Sequence, residues 1–411
     1  GLVGSEMCIR DSYDPLTKFM MWDGSIKLAK EIVVGDNLID DRGKPVKVRS
    51  TCSGMNNMYD IIPEKQNQFM KHRVTDNHIL TLRIQMHKHS RSYSRENRKT
   101  KFIVEYFNRE SNQFCEQYFE TSEQAQQFMD TLADDDTLDI TIEDYLKLDK
   151  TTRERLTLFN VDCIHWEKKE IHMDPYLLGM WLGDGLSSGA GFALHHETDH
   201  ETLAYWKQWA EENGAEIQNS VGNAVTIRNR VEEAPLKTYL RKYDLIDNKH
   251  IPVDFIANDR TTRLKVLAGL IDTVGSVRAK GQEIRITQGP ANYRIIDGAH
   301  QIAISLGFSA SVSEGPSQWT DEKTGETKCS TYKELVIAGA GIWEIPTLLP
   351  RKQLSKITER SSMDCKFQLK EVGVGPFVGW QLEDKRGRHL LFGGLVGHNS
   401  PEGASVGLVK N

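Results

Sequence analysis

Two apolar stretches each end at a position from which a carboxylate could hold a metal ion. Leu177-Leu178-Gly179-Met180-Trp181-Leu182-Gly183-Asp184-Gly185 and Leu267-Ala268-Gly269-Leu270-Ile271-Asp272-Thr273-Val274-Gly275 repeat one order of apolar and small residues. Each reads as a helix with small residues four apart on one face, Gly179 and Gly183 in the first, Gly269 and Thr273 in the second. Two such faces let a helix pair pack closely, and their C-terminal ends then meet. A carboxylate at the eighth position of each would sit at that meeting point, suited to binding Mg2+ beside a scissile phosphate. The first copy supplies Asp184, whereas the second has Val274, which cannot coordinate a metal. Asp272 is no substitute, because two positions along a helix is a rotation of about 200°. Two further groupings could do covalent or proton chemistry: Thr75-Asp76-Asn77-His78 and, near the other end, His398-Asn399-Ser400.

The elements that must position these residues differ in texture along the chain. From about Tyr13 to Arg83, short alternating runs such as Lys44–Val48 and His78–Leu82 are punctuated by Asp23-Gly24 and Arg42-Gly43, which predicts an all-β unit. A polar stretch follows whose first part carries Arg83, Lys88, Arg91, Arg95, Arg98, Lys99 and Lys101, and it reads as a solvated loop. Residues 170–360 predict a duplicated α/β unit. Each motif helix stands ahead of a second helix (His200–Asn213, Tyr293–Leu306), a helix-ending glycine (Gly214, Gly307) and strands. The last region returns to β texture, with Trp380–Leu382 and Leu390–Val396 flanking a turn at Arg386-Gly387. The front and back β regions are therefore expected to close on each other around an inserted middle.

Composition removes several function classes. The 411 residues are 38% hydrophobic and 27% charged with a net charge of −6, which fits a soluble globular chain and no uniformly basic nucleic-acid coat. No apolar run approaches the roughly 18 residues of a spanning helix, so no membrane partner is expected. The six cysteines lie far apart without a Cys-x-x-Cys pair, which disfavours zinc and a disulfide framework and predicts mostly reduced thiols. No secretory or other targeting signal is visible.

The helix pair resembles the double LAGLIDADG motif of homing endonucleases, whose first six letters stand at Leu267–Asp272. The termini resemble an intein. Thr17, Asp23-Gly24 and Gly35-Asp36 match its first block, Thr75 and His78 the second, and His398-Asn399-Ser400 its C-terminal junction. The resemblance covers about Ser12 to Asn399. It implies a mixed fold: an all-β Hint horseshoe built from both termini, interrupted by an α/β LAGLIDADG pseudo-dimer of duplicated αββαββα order. It further implies that Lys249 and Lys352 are the lysines that stand near the nuclease centre of each half, with Asp184 the metal-binding acid.

The chemistry implied by the resemblance is self-splicing. Ser12 attacks the preceding carbonyl and turns an amide into an ester. Thr75 and His78 polarise that amide and protonate its nitrogen. Ser400 takes over the acyl group, Asn399 cyclises onto its own carbonyl, and His398 donates the proton for that step. Splicing of this kind calls for no cofactor; the nuclease calls for Mg2+ and a double-stranded DNA homing site. Ser12 departs from the usual cysteine, and Gly379-Trp380 stand where many inteins carry an aspartate.

The expected organisation is a non-native leader at 1–11, which resembles translated sequencing-adapter read-through. An N-terminal splicing part with a polar insertion follows at 12–165, the endonuclease at 166–360, the C-terminal splicing part at 361–399 and a host flank at 400–411. That flank is similar to a segment of the second-largest subunit of DNA-directed RNA polymerases, which would be the covalent partner and would set an intracellular location, nuclear or in a viral replication compartment. With Val274 in the second motif, double-strand cleavage is expected to be impaired. The alternative is an active or nicking endonuclease on a non-splicing scaffold; a bare polymerase fragment is a third, weaker reading.

Overall fold

A computed structural model describes residues 12–64, 71–94, 100–161, 163–194, 198–219, 224–229, 235–320, 327–356 and 365–399. The expected leader and host flank, Ser400 included, lie outside the described residues, as do Arg95, Arg98 and Lys99 of the basic stretch.

The front and back of the chain do close on each other. The long strand Pro45–Pro63 pairs antiparallel with Phe367–Leu382 along nearly their whole length, from Phe367 opposite Pro63 to Leu382 opposite Val48. Strand His72–Thr75 joins the far end of Pro45–Pro63. Tyr13 then bridges the gap, antiparallel to Val74 on one side and to Val378 on the other. This arrangement encloses a core of Tyr13, Phe19, Val74, Leu82 and Trp380.

The basic stretch is a folded module rather than a solvated loop. Lys88–Tyr93, Lys101–Asn108 and Gln113–Phe119 form a three-stranded antiparallel sheet, and helix Ser122–Thr131 lies against it. Two of its described cations are neutralised within the module. Lys88 Nζ donates to the Leu132 carbonyl at 3.0 Å and to Asp134 at 2.6 Å, and Arg91 pairs with Glu116 at 2.5 Å.

The middle holds two successions of like order. In the first, helix Pro175–Asp184 is followed by strand Gly191–Ala193, helix His200–Glu212 and strands Ala215–Asn219 and Ala224–Asn229. In the second, helix Arg260–Val274 is followed by Gly275–Arg278, Glu283–Gln288, helix Tyr293–Ser305 and strands Ser309–Thr320 and Thr327–Ala338. Both motif helices start at an aspartate cap: Asp174 accepts from the Leu177 amide at 3.0 Å and Asp259 from the Thr262 amide at 3.2 Å. Both end at a glycine in extended conformation, Gly185 and Gly275, which turns the chain away from the helix axis. Gly214 and Gly307 take the left-handed φ expected of helix-ending glycines, +65° and +82°.

Candidate functional site

The helix pair meets through its small residues. A Cβ added at Gly179 would collide with the Val266 carbonyl oxygen and lie 2.9 Å from the Leu270 nitrogen. One added at Gly269 would collide with the Tyr176 carbonyl oxygen, and one at Gly183 with the Thr273 side chain. Backbones this close require glycine on both faces, as the spacing predicts. Asp184 and Val274, the eighth residues, end the two helices and are both partly exposed. Asp272 is used otherwise: buried, it accepts from Tyr176 O–H at 2.6 Å and from the Leu348 amide at 2.7 Å. Burial beside that carboxylate pushes the Tyr176 phenol strongly up.

The two lysines occupy equivalent places. Lys249 Nζ donates to Gly185 O at 2.7 Å and to Leu182 O at 3.0 Å. Lys352 Nζ donates to Gly275 O, the corresponding ninth residue of the second motif. Burial lowers the Lys249 ammonium to about 8, with nearby Asp184 opposing the shift, and burial likewise lowers Lys352. Among the described residues no cluster of three or more His, Cys, Asp or Glu could hold a metal. Asp184 alone suits Mg2+, which commonly takes one or two carboxylates and completes its shell with water and phosphate oxygens. Val274 leaves the second position without a ligand.

The second constellation forms around Tyr13. Ser12 O accepts from the Thr75 amide at 3.1 Å, and Thr75 O accepts from the His78 amide at 3.1 Å. Ser12, Thr75 and His78 are all buried, and the His78 ring meets Tyr13 edge-on with centroids 4.9 Å apart. Tyr13 O–H donates to His398 O at 3.2 Å, across 385 residues of sequence. The Asn399 amide donates to Gly387 O at 2.7 Å, and His398 and Asn399 are buried. The turn carrying Gly387 is pinned from outside. Arg386 pairs with Asp41 at 2.6 Å and Asp384 at 2.6 Å, and Arg388 pairs with Asp139 at 2.8 Å.

Three residues of this constellation are absent from the sequence reading. Tyr13 connects the two chain ends. His389 is buried against Tyr13, Phe19 and Trp380, with Nδ1 3.2 Å from Gly387 O. Cys52 stands opposite Gly379 on the neighbouring strand. His389 could have been suspected from its place ten residues ahead of Asn399 in an apolar run; Tyr13 and Cys52 depend on long-range pairing that no local pattern announces.

A pairing of chain ends around a buried Ser-Thr-His and His-Asn set, with a second unit inserted between them, defines a class, and comparison identifies it. Residues 13–398 match the Hom_end-associated Hint family, and the chain belongs to that family. A replicative DNA helicase DnaB from Mycobacterium intracellulare is 29% identical over 157 residues, 38% of this chain and 23% of that protein. The gp41-1 intein crystal structure covers 17% of this chain and 52% of its own, at 18% identity and a TM-score of 0.15, and a substituted variant of that intein aligns with the same values. The chain thus spans about a quarter of that helicase and half of that intein.

Proposed function

We propose that the chain is a self-splicing intein whose splicing unit comprises residues 12–165 and 361–399, with residues 400–411 as a host flank. The observation that carries this reading is Tyr13, which joins the Ser12–Thr75–His78 set to His398-Asn399 through one hydrogen bond. Splicing needs both junctions in one site, because the group released at one is captured at the other. In this reading Ser12 Oγ adds to the acyl carbonyl ahead of it, and the amide C–N bond breaks while His78 protonates the nitrogen. The Thr75 amide already holds the Ser12 backbone from the other side. The acyl group then passes to the Ser400 hydroxyl. Asn399 Nδ2 closes on its own carbonyl, breaks the bond to Ser400 and leaves a succinimide, with His398 as proton donor. His389 shares the Gly387 carbonyl that receives the Asn399 amide, so it positions the cyclising residue. The host is a DNA-directed RNA polymerase second-largest subunit, and the location follows that host.

The test is expression between two reporter flanks, with ligated product measured by mass spectrometry. Wild type is expected to yield ligated flanks. Asn399→Ala is expected to abolish release before Ser400 while leaving the fold intact, because alanine has no nitrogen to cyclise. An unchanged rate of C-terminal release in that variant refutes the intein reading.

A second activity is favoured by the matching lysine contacts on Gly185 and Gly275. Residues 166–360 are read as a LAGLIDADG homing endonuclease that binds a double-stranded DNA site. Asp184 would hold Mg2+ with phosphate oxygens and water, and the ion would supply charge neutralisation at the scissile phosphate. Lys249, with its ammonium lowered to about 8, stays mostly protonated at neutral pH and would present a positive charge to the scissile phosphate. With Val274 in the second position, one strand lacks its carboxylate, so binding persists through phosphate contacts while double-strand cleavage fails. Wild type and Val274→Asp are to be compared on a plasmid carrying the uninterrupted polymerase site, with Mg2+. Linearisation gained only by the aspartate variant supports the reading, and equal linearisation refutes it.

A further inference from the structure

Backbone pairing lines up four residues on one face of the splicing unit. Tyr13 pairs with Val74 and with Val378, so the preceding residue, Ser12, stands between Thr75 and Gly379. Gly379 in turn pairs with Cys52 on the strand Pro45–Pro63. Paired residues of an antiparallel sheet project to the same face. Thr75, Ser12, Gly379 and Cys52 therefore form one cross-strand row. The third member has no side chain, which opens a slot between Ser12 and Cys52. The half-buried Cys52 thiol reaches across it to the Gly379 backbone and the Ser12 hydroxyl. Ser12 is only 1% exposed, and among the described residues the Cys52 thiol is the group its Oγ faces.

We propose that Cys52 is a further catalytic residue of the splicing site, which takes the acyl group from Ser12 and passes it on as a thioester. This rests on the intein reading above. The step balances without an oxidant or a co-reactant. Cys52 Sγ bonds to the ester carbonyl carbon, the bond from that carbon to Ser12 Oγ breaks, and the thiol proton moves to Oγ. When the Ser400 hydroxyl attacks in turn, the S–C bond breaks and the hydroxyl proton restores the thiol. A serine ester is a sluggish acyl donor; a sulfur relay between two hydroxyls makes the middle species the reactive one. Burial pushes the Cys52 thiol up, so it remains protonated until the departing Ser12 oxygen takes the proton. Gly379 is what admits the sulfur: any side chain there would stand between Ser12 and Cys52.

The experiment uses the full chain with a reporter ahead of Ser12, in an Asn399→Ala background that stalls the later steps. Hydroxylamine cleaves esters and thioesters, whereas dithiothreitol at neutral pH cleaves thioesters selectively. The expected result is reporter release by both reagents from the parent and a reporter adduct on the Cys52 peptide after acid quenching. In Cys52→Ala and Cys52→Ser, hydroxylamine release should persist while dithiothreitol release falls by about tenfold or more. Cys52→Ser keeps the size of the side chain, so a purely structural role would be rescued by it. Equal dithiothreitol release from the parent and both variants overturns the relay, and so does an adduct confined to Ser12. No release by hydroxylamine from any variant sinks the splicing reading, and the relay with it.

Discussion

Gly387→Ala separates the two junctions of the proposed splicing site. Gly387 has φ +67°, a left-handed conformation that costs an alanine roughly 1–2 kcal/mol. The larger effect is steric. A Cβ there would collide with the Asn399 carbonyl oxygen, lie 2.9 Å from the Asn399 carbonyl carbon and 3.1 Å from His398 Cε1. That carbonyl is the atom pair on which the asparagine side chain must close. To restore ordinary contact it has to retreat by about 1 Å, and a misplacement of that size costs roughly 10²-fold in a near-attack geometry. Release before Ser400 is therefore expected to fall about 10²-fold, while hydroxylamine-sensitive ester formation at Ser12 is retained. Gly373→Ala is the control. Its φ is +97° with nothing within 4 Å of an added Cβ, so it carries the torsional strain without the collision. The assay is a time course of intact-mass spectra for both variants, with thermal unfolding alongside. If Gly387→Ala and Gly373→Ala slow C-terminal release equally, strain alone explains the effect and the contact argument is refuted.

Two predictions concern the inserted unit. Gly269→Ala gains helix propensity of about 1 kcal/mol but drives a methyl into the Tyr176 carbonyl and to 2.7 Å from the Met180 nitrogen. Overpacking of that kind costs about 1–3 kcal/mol, so urea unfolding should show a net loss of stability; a gain would mean the helices separate freely. Burial lowers the His300 imidazole to about 4. The unfolded chain binds that proton at its ordinary value of about 6.5, so stability is full above that value and is lost as pH falls from there towards about 4, by up to about 3 kcal/mol. Urea midpoints at pH 7 and pH 4.5 for wild type and His300→Gln should show a smaller acid loss in the variant; parallel losses refute the assignment.

The helices of the middle were legible because each signal is local: apolar residues, small residues four apart and a glycine at the end. The strands were legible only where alternation survives. Phe367–Leu382 was recognised at Trp380–Leu382 alone, since Gly373, Gly375 and Pro376 break its pattern and a bulge shifts its register between Glu371 and Gly373. Leu390–Val396 reads as one β run, yet Arg388–Leu390 and Val396–His398 are separate strands about a turn at Gly394, φ +77°. The run is apolar because the turn itself is buried. The basic stretch misled through composition: its cations find Asp134 and Glu116 only after the sheet forms. Of the candidate site residues at the two chain ends, sequence named Ser12, Thr75, His78, His398 and Asn399, which the fold sets around Tyr13, and Ser400, which lies outside the described residues. Cys52, Tyr13 and His389 enter through pairings that span up to hundreds of residues, which periodicity cannot encode.

That buried turn also bears on how the two units depend on each other. Leu390, Phe392 and Val396, which lead into His398-Asn399, belong to the same apolar core as the two motif helices. Helix Tyr293–Ser305 forms the contact: His300 meets the Phe392 ring edge-on at 5.5 Å, and Ile304 lies against Gly394 so closely that a Cβ there would be 2.8 Å from it. Gln301 Nε2 donates to Gly24 O at 2.7 Å, and Trp166 Nε1 to Trp22 O at 2.8 Å. A Phe side chain gains roughly 1.5–3 kcal/mol from full burial, so stripping the helix away would leave the hairpin ahead of Asn399 with exposed apolar side chains and the Gly24 carbonyl without its Gln301 donor. The inserted unit is in this respect the floor of the splicing hairpin. Removing residues 166–360 without replacing the surface of Tyr293–Ser305 should disorder the C-terminal junction first, and the pairing of Pro45–Pro63 with Phe367–Leu382, which rests on the other core, should outlast it.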